Sequence, residues 1–133
     1  MKTENKIIAE LLRLGAFLQR EGGRITRKYD LSQQQFVVLK TIQERGPVSQ
    51  KNIASELLYE KSNVSKGVNR LLDMGLVKSQ QSQADGRVLE VRVTGKGKSL
   101  ITKVMAEFEI ANTRLLNQFE DDELVRAAKF LAK

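Results

Sequence analysis

The stretch KSNVSKGVNRLLDMGLV, residues 61–77, sets Ser62, Asn63, Ser65, Lys66, Asn69 and Arg70 against Val64, Val68, Leu71 and Leu72. The four apolar residues fall at i, i+4, i+7 and i+8, one face of a helix. The remaining face pairs short hydroxyl and amide side chains with cations. That is the chemistry of groove reading: Ser and Asn reach base edges and phosphates, while Lys and Arg neutralise phosphates or pair with guanine. The usual Glu/Lys mixture of a solvated helix is missing, and Glu would repel a phosphate backbone. A second candidate lies at the tip SQADGRV, residues 82–88, where Arg87 stands beside an Asp-Gly turn. An Arg on such a tip can enter a minor groove, where the negative potential is strongest. Asp85, two residues earlier, is placed to hold its guanidinium.

The elements that must position these residues read from the periodicity. Ile7, Ile8, Leu11, Leu14 and Leu18 predict a helix over 5–21, broken by Glu21-Gly22-Gly23. Ser32 and Gln35 form a capping box for a second helix with Phe36, Leu39 and Ile42 inward, closed by Gly46-Pro47. Ser49 caps a short helix with Ile53, Ala54 and Leu57 inward. A brief turn then leads into the helix over 61–74, which is helix-turn-helix patterning. After Gly75 the period changes to two. LVKSQQSQADGRVLEVRVT reads as strand, turn and strand, with Leu89, Val91 and Val93 on the packing face. Thr94 caps a long helix striped by Ile101, Val104, Met105, Phe108, Ala111, Leu115 and Phe119. The acids at 120–123 open a last helix. The expected order is α-α-α-α-β-β-α-α, and a hairpin following a helix-turn-helix makes a winged helix.

Charge supports a polyanion partner. The chain has 133 residues and a formal charge of +7. Residues 61–98 hold eight basic residues against three acids, whereas 105–124 hold six acids and only Arg114. A basic centre beside an acidic C-terminal part separates a polyanion-binding face from a part turned away from it. Cysteine and histidine are absent, which rules out disulfides, thiolate nucleophiles, Cys/His zinc sites and histidine general-base chemistry. Of the remaining catalytic options, Glu107/Glu109 and Asp121/Asp122 are spaced so that they do not face each other on a helix. TGKGKS, residues 94–99, lacks the upstream spacing of a phosphate-binding loop. We therefore expect no enzyme, no metal and no cofactor. No membrane span or signal peptide is evident, and the expectation is a soluble cytoplasmic protein.

The stretches LSQQQFVVLKTIQERGPVSQKNIASEL, SNVSKGVNRLLDMGLV and ADGRVLEVRVTGKG together resemble the MarR family of bacterial winged helix-turn-helix transcriptional regulators. The last carries the wing signature, an Asp-x-Arg followed by a strand and a Thr-x-x-Gly helix start. The resemblance implies a mainly α fold with a small β-hairpin in one MarR-type domain over 1–133. Residues 30–94 would form the DNA-binding lobe, and 1–29 with 95–133 the dimerisation helices. It implies a homodimer on a pseudo-palindromic operator in double-stranded DNA, and a repressor released by a small, often aromatic or phenolic, effector. It also implies that Ser62, Asn63, Ser65, Lys66, Asn69 and Arg70 act from the recognition helix, and Asp85 and Arg87 from the wing. Two positions depart from the family pattern. Gly67 occupies the middle of the recognition helix where a larger residue is usual, at a cost of about 1 kcal/mol relative to Ala, and the C-terminal helix pair is short. Phe17, Ile25, Tyr29 and Phe36 are candidates for an effector pocket as well as for ordinary core. The competing reading is a winged helix used as a protein-interaction or architectural module without effector response.

Overall fold

A computed structural model describes residues 2–133. Six helices and a three-stranded antiparallel sheet follow in the order α1 (Thr3–Thr26), a single 3-10 turn (Arg27–Tyr29), α2 (Gln33–Arg45), β1 (Val48–Ser49), α3 (Gln50–Leu57), α4 (Lys61–Asp73), β2 (Val77–Gln81), β3 (Leu89–Val93), α5 (Gly95–Leu116) and α6 (Asp121–Leu131). The mainly helical winged-helix architecture read from the sequence is the one observed. The sheet order is β1-β3-β2. The two-residue β1 was not anticipated, because Val48–Ser49 is too short to show a period. It pairs Val48 with Val91 and Ser49 with Glu90, which ties the start of α3 to the hairpin.

The caps hold as their residue types require. Ser32 Oγ accepts from Gln35 N while Gln35 Oε1 accepts from Ser32 N. Ser49 Oγ accepts from Asn52 N, and Glu123 Oε1 accepts from Glu120 N at the start of α6. α4 ends on Gly75, whose φ of +72° suits a residue without Cβ. One core joins the lobe: Leu31, Leu39, Ile42, Ile53, Val64, Val68, Leu71, Leu76 and Val91 are buried, together with Ile101 and Val104 from α5.

Three expectations need correction. Glu21-Gly22-Gly23 does not break α1, which runs to Thr26, and both glycines are buried within it. Gly22 serves close approach: a Cβ there would lie 2.9 Å from Gln33 Cγ and 3.4 Å from Phe108 Cε1. Phe119 lies beyond the end of α5 at Leu116, in the turn before α6. Alternation assigns Leu89 to the packing face of the hairpin, yet it is 64% exposed, because the strands run past the core beyond Val91.

Two backbone positions use the wrong residue for their conformation. Leu58 is the C-cap of α3 at φ +57°, ψ +34°, and it is 90% exposed. The left-handed region costs a β-carbon-bearing residue about 1–2 kcal/mol, and an exposed Leu recovers nothing by burial. Gly67 is the reverse case, a mid-helix glycine with no positive φ. A Cβ there would meet Gln35 Cγ at 3.8 Å and Val38 Cγ2 at 4.0 Å, ordinary contacts. Leu58→Gly and Gly67→Ala should therefore each stabilise, Gly67→Ala by about 0.5–1 kcal/mol. Chemical denaturation checks this; a lower midpoint for Gly67→Ala would mean that the helix needs glycine there.

Candidate nucleic-acid interface

α4 presents the six residues singled out from the sequence on its outward half. Val64, Gly67, Val68 and Leu71 are buried, whereas Ser62, Asn63, Lys66, Asn69 and Arg70 are exposed and Ser65 half-buried. No acid interrupts the helix from Lys61 to Arg70. Among the described residues, five of the six make no side-chain hydrogen bond within the fold. Arg70 differs, because its Nη2 donates to the carbonyl of Asp30 at 3.2 Å. That carbonyl belongs to a residue in left-handed geometry at the end of the 3-10 turn, so Arg70 fastens the base of α4 to the start of α2.

The wing orders its tip with local hydrogen bonds. Ser82 Oγ accepts from Ala84 N at 3.2 Å, and Asp85 Oδ1 accepts from Arg87 N at 3.0 Å and Arg87 Nε at 3.3 Å. Asp85 thus aligns the Arg87 guanidinium as anticipated, on a side chain that is 93% exposed. Exposure makes this pair worth little to stability; its effect is orientation. The sheet adds a feature that residue spacing did not expose. Lys78 on β2 lies directly across from Arg92 on β3, both are exposed, and neither makes an ion pair among the described residues. Like charges in register repel, so this edge of the hairpin favours an anion. The register needed to see it exists only once the strands are paired.

A junction connects this surface to α5. Thr94 Oγ1 donates to the Gly75 carbonyl at 2.7 Å and accepts from Gly97 N at 3.1 Å. Thr94 N donates to the Leu76 carbonyl at 3.0 Å, and Lys96 Nζ donates to the Met74 carbonyl at 2.8 Å. The Thr-x-x-Gly start of α5 therefore clasps the end of α4. On the far side, Glu107 of α5 accepts from Lys28 Nζ at 2.8 Å and from the Tyr29 hydroxyl. The Lys28 bond, then the Tyr29 bond, holds the Glu107 carboxyl below the usual carboxylate range, and the same bond raises the Tyr29 hydroxyl.

The four aromatic and apolar candidates for an effector pocket are not gathered in one place. Phe36 is buried and stacks on Phe108 at 5.7 Å between ring centroids. Ile25 and Tyr29 pack against the same core. Phe17 instead lies on α1, on the exposed apolar face that also carries Ile7, Leu11 and Leu14. Among the described residues, no cluster of His, Cys, Asp and Glu could hold a metal ion, and no helix is long and apolar enough to cross a membrane.

Residues 31–89 match the family model described as MarR family. The chain is 29% identical over 104 residues to the HTH-type transcriptional regulator MgrA of Staphylococcus aureus, covering 77% of this chain and 71% of that protein. It is 25% identical over 130 residues to the HTH-type transcriptional regulator PecS of Dickeya dadantii, covering 96% of this chain and 78% of that one. Among solved structures, a transcriptional regulator (MarR family) from Rhodococcus sp. RHA1 superposes with a TM-score of 0.87 at 20% identity, over 98% of this chain and 94% of that chain.

Proposed function

We propose, from the match of residues 31–89 to the family model described as MarR family, that the chain is a DNA-binding transcriptional regulator. It acts as a homodimer on a pseudo-palindromic operator, as a repressor released by a small-molecule effector. The observation that carries the DNA-binding part is the outward face of α4, free of acids from Lys61 to Arg70, beside a wing whose Arg87 is aligned by Asp85 in open solvent. A helix with this face enters the major groove, and the wing Arg reaches the neighbouring minor groove. Ser62, Asn63, Ser65, Lys66 and Asn69 make the groove contacts. Arg70 sets the tilt of the helix through Asp30 and contributes charge.

Base-edge contacts discriminate between sequences, whereas phosphate and minor-groove contacts add affinity with little preference. Asn69→Ala should cost about 1–3 kcal/mol on the selected site and far less on random duplex. Arg87→Ala should weaken binding to both similarly and lower the salt slope by about one contact. Neither should move the melting temperature, since both side chains are exposed. Duplex titrations at several salt concentrations, beside melting curves, check this. If Arg87→Ala melts the fold while leaving both affinities untouched, the wing is structural and the reading fails.

One observation favours the interaction-module reading. Val88 and Leu89 form an exposed apolar spot beside the wing tip, and Leu58 projects from the turn of the helix-turn-helix. A protein partner docks on such anchors. Binding to duplex that does not vary with salt would support that alternative.

A further inference from the structure

Beside α4 lies a hollow of about 160 Å³ between that helix and the first turn of α2, lined among others by Ser32, Gln34, Tyr59, Asn63, Lys66 and Gly67. Its polar lining is one-sided, because no carboxylate contributes to it. Ser32 is committed to capping α2. The Lys66 ammonium, the Asn63 and Gln34 amides and the Tyr59 hydroxyl make no hydrogen bond or ion pair within the fold among the described residues. Burial raises the Tyr59 hydroxyl, so it stays protonated and a donor. The hollow thus offers a cation and three donors to a single acceptor group.

Gly67 explains why the hollow exists. The fold tolerates a Cβ at this position, and a mid-helix glycine is unfavourable, so packing does not demand glycine. A larger side chain at 67 would grow toward Gln35 and Val38, which line the same hollow.

An α-helix with its side chains is about as wide as the major groove. When the crest of α4 faces the bases, its flanks lie against the sugar–phosphate walls. Asn63 and Lys66 are on the flank and crest that border the hollow. We infer that the hollow seats the non-bridging oxygens of one backbone phosphate of the bound duplex, held by Lys66, Tyr59, Asn63 and Gln34. This rests on the DNA-binding reading. It adds α2 and the α3–α4 turn to the interface and fixes the register of α4 along the groove.

The test uses the full chain and duplexes of a selected site, each with one neutral methylphosphonate, scanned along both strands. In the wild type, one position per half-site should lower affinity roughly tenfold, the size of a hydrogen bond to a charged group. Tyr59→Phe and Gly67→Met should each lower affinity for unmodified duplex by a similar factor, equally on selected and random sequence. In both variants the penalty at that one position should shrink while the other positions keep theirs. Gly67→Met removes a helix glycine, so its melting temperature should not fall, which separates loss of the seat from loss of fold. Lys66→Gln should also lower the salt slope by about one, and Tyr59→Phe should leave it unchanged.

A phosphate of the duplex is distinguished from a free one by inorganic phosphate at constant ionic strength. Duplex affinity should be unchanged; competition in the wild type that vanishes in Gly67→Met would instead assign the hollow to the free ion. Identical methylphosphonate profiles in wild type and both variants would overturn the proposal even with DNA binding intact. If the wild type binds no duplex, the functional reading fails. The seat then falls with it, whereas identical profiles in a wild type that binds duplex overturn the seat alone.

Discussion

Gly97→Ala is expected to destabilise the protein by about 3 kcal/mol, the upper end of what forcing one methyl into a packed site costs. A Cβ on Gly97 would lie 2.3 Å from the Leu76 carbonyl oxygen and 2.7 Å from Val93 Cγ2. The oxygen is backbone and already accepts from Thr94 N, so it cannot swing aside without opening the clasp between α4 and α5. For a chain of this length, that loss corresponds to a fall of roughly 10 °C in melting temperature, measured at matched protein concentration because association also stabilises. Gly95→Ala is the control: nothing lies within 4 Å of its Cβ, and its melting curve should overlay the wild type. The clasp also sets the angle of α4 to α5, so Gly97→Ala should weaken duplex binding even well below its own melting temperature. A Gly97→Ala protein that melts with the wild type would show that α5 can slide without cost.

Charge placed on the apolar face of α1 should have the larger functional effect. Ile7, Leu11, Leu14 and Leu18 follow helical spacing, and all four are exposed on a single chain, as are Phe17 on α1, Ile110 on α5 and Val125 and Leu131 on α6. A run of exposed apolar residues at helical spacing along α1 marks an interface, and in a homo-oligomer the commonest solution is a two-fold pair. Leu11→Glu/Leu14→Glu should therefore convert a dimer to a monomer in sedimentation analysis. Duplex affinity should fall by at least about a hundredfold, because the second half-site no longer binds intramolecularly. The wild-type footprint should show half-sites with centres about 34 Å apart, and the variant should protect one. A wild type that sediments as a monomer, or a variant that binds both half-sites at full affinity, would rule out the paired arrangement.

Much of this molecule was readable before any coordinates. Patterns local in sequence carried the most: the capping box at Ser32 and Gln35, the Ser49 cap, the apolar stripe of α4, the Asp85–Arg87 turn and the Thr94 start of α5. Each depends on residues within a turn or two of one another, where spacing alone sets who meets whom. The same locality made the outward set on α4 legible, since the face opposite Val64, Val68 and Leu71 must be wet.

What failed, or could not be seen, depended on contacts distant in sequence. Gly22 and Gly23 read as a helix break because glycine is a poor helix former, but α1 runs through both, and at Gly22 the side chains of Gln33 and Phe108 approach closely. Leu89 alternates correctly, yet no core extends under it. Arg70 reads as one more cation of the polar face until Asp30, forty residues away, supplies a carbonyl. Lys78 meets Arg92 only through strand register, and the hollow beside Gly67 needs α2 and the α3–α4 turn brought against α4. Most helices, the hairpin, their caps and the polar face offered to a partner follow from periodicity and from hydrogen bonds within a turn. Tertiary structure alone decided which glycines are spacers, which cation is tethered and where a cavity stays open, because those outcomes depend on the distance between segments that the chain order does not set.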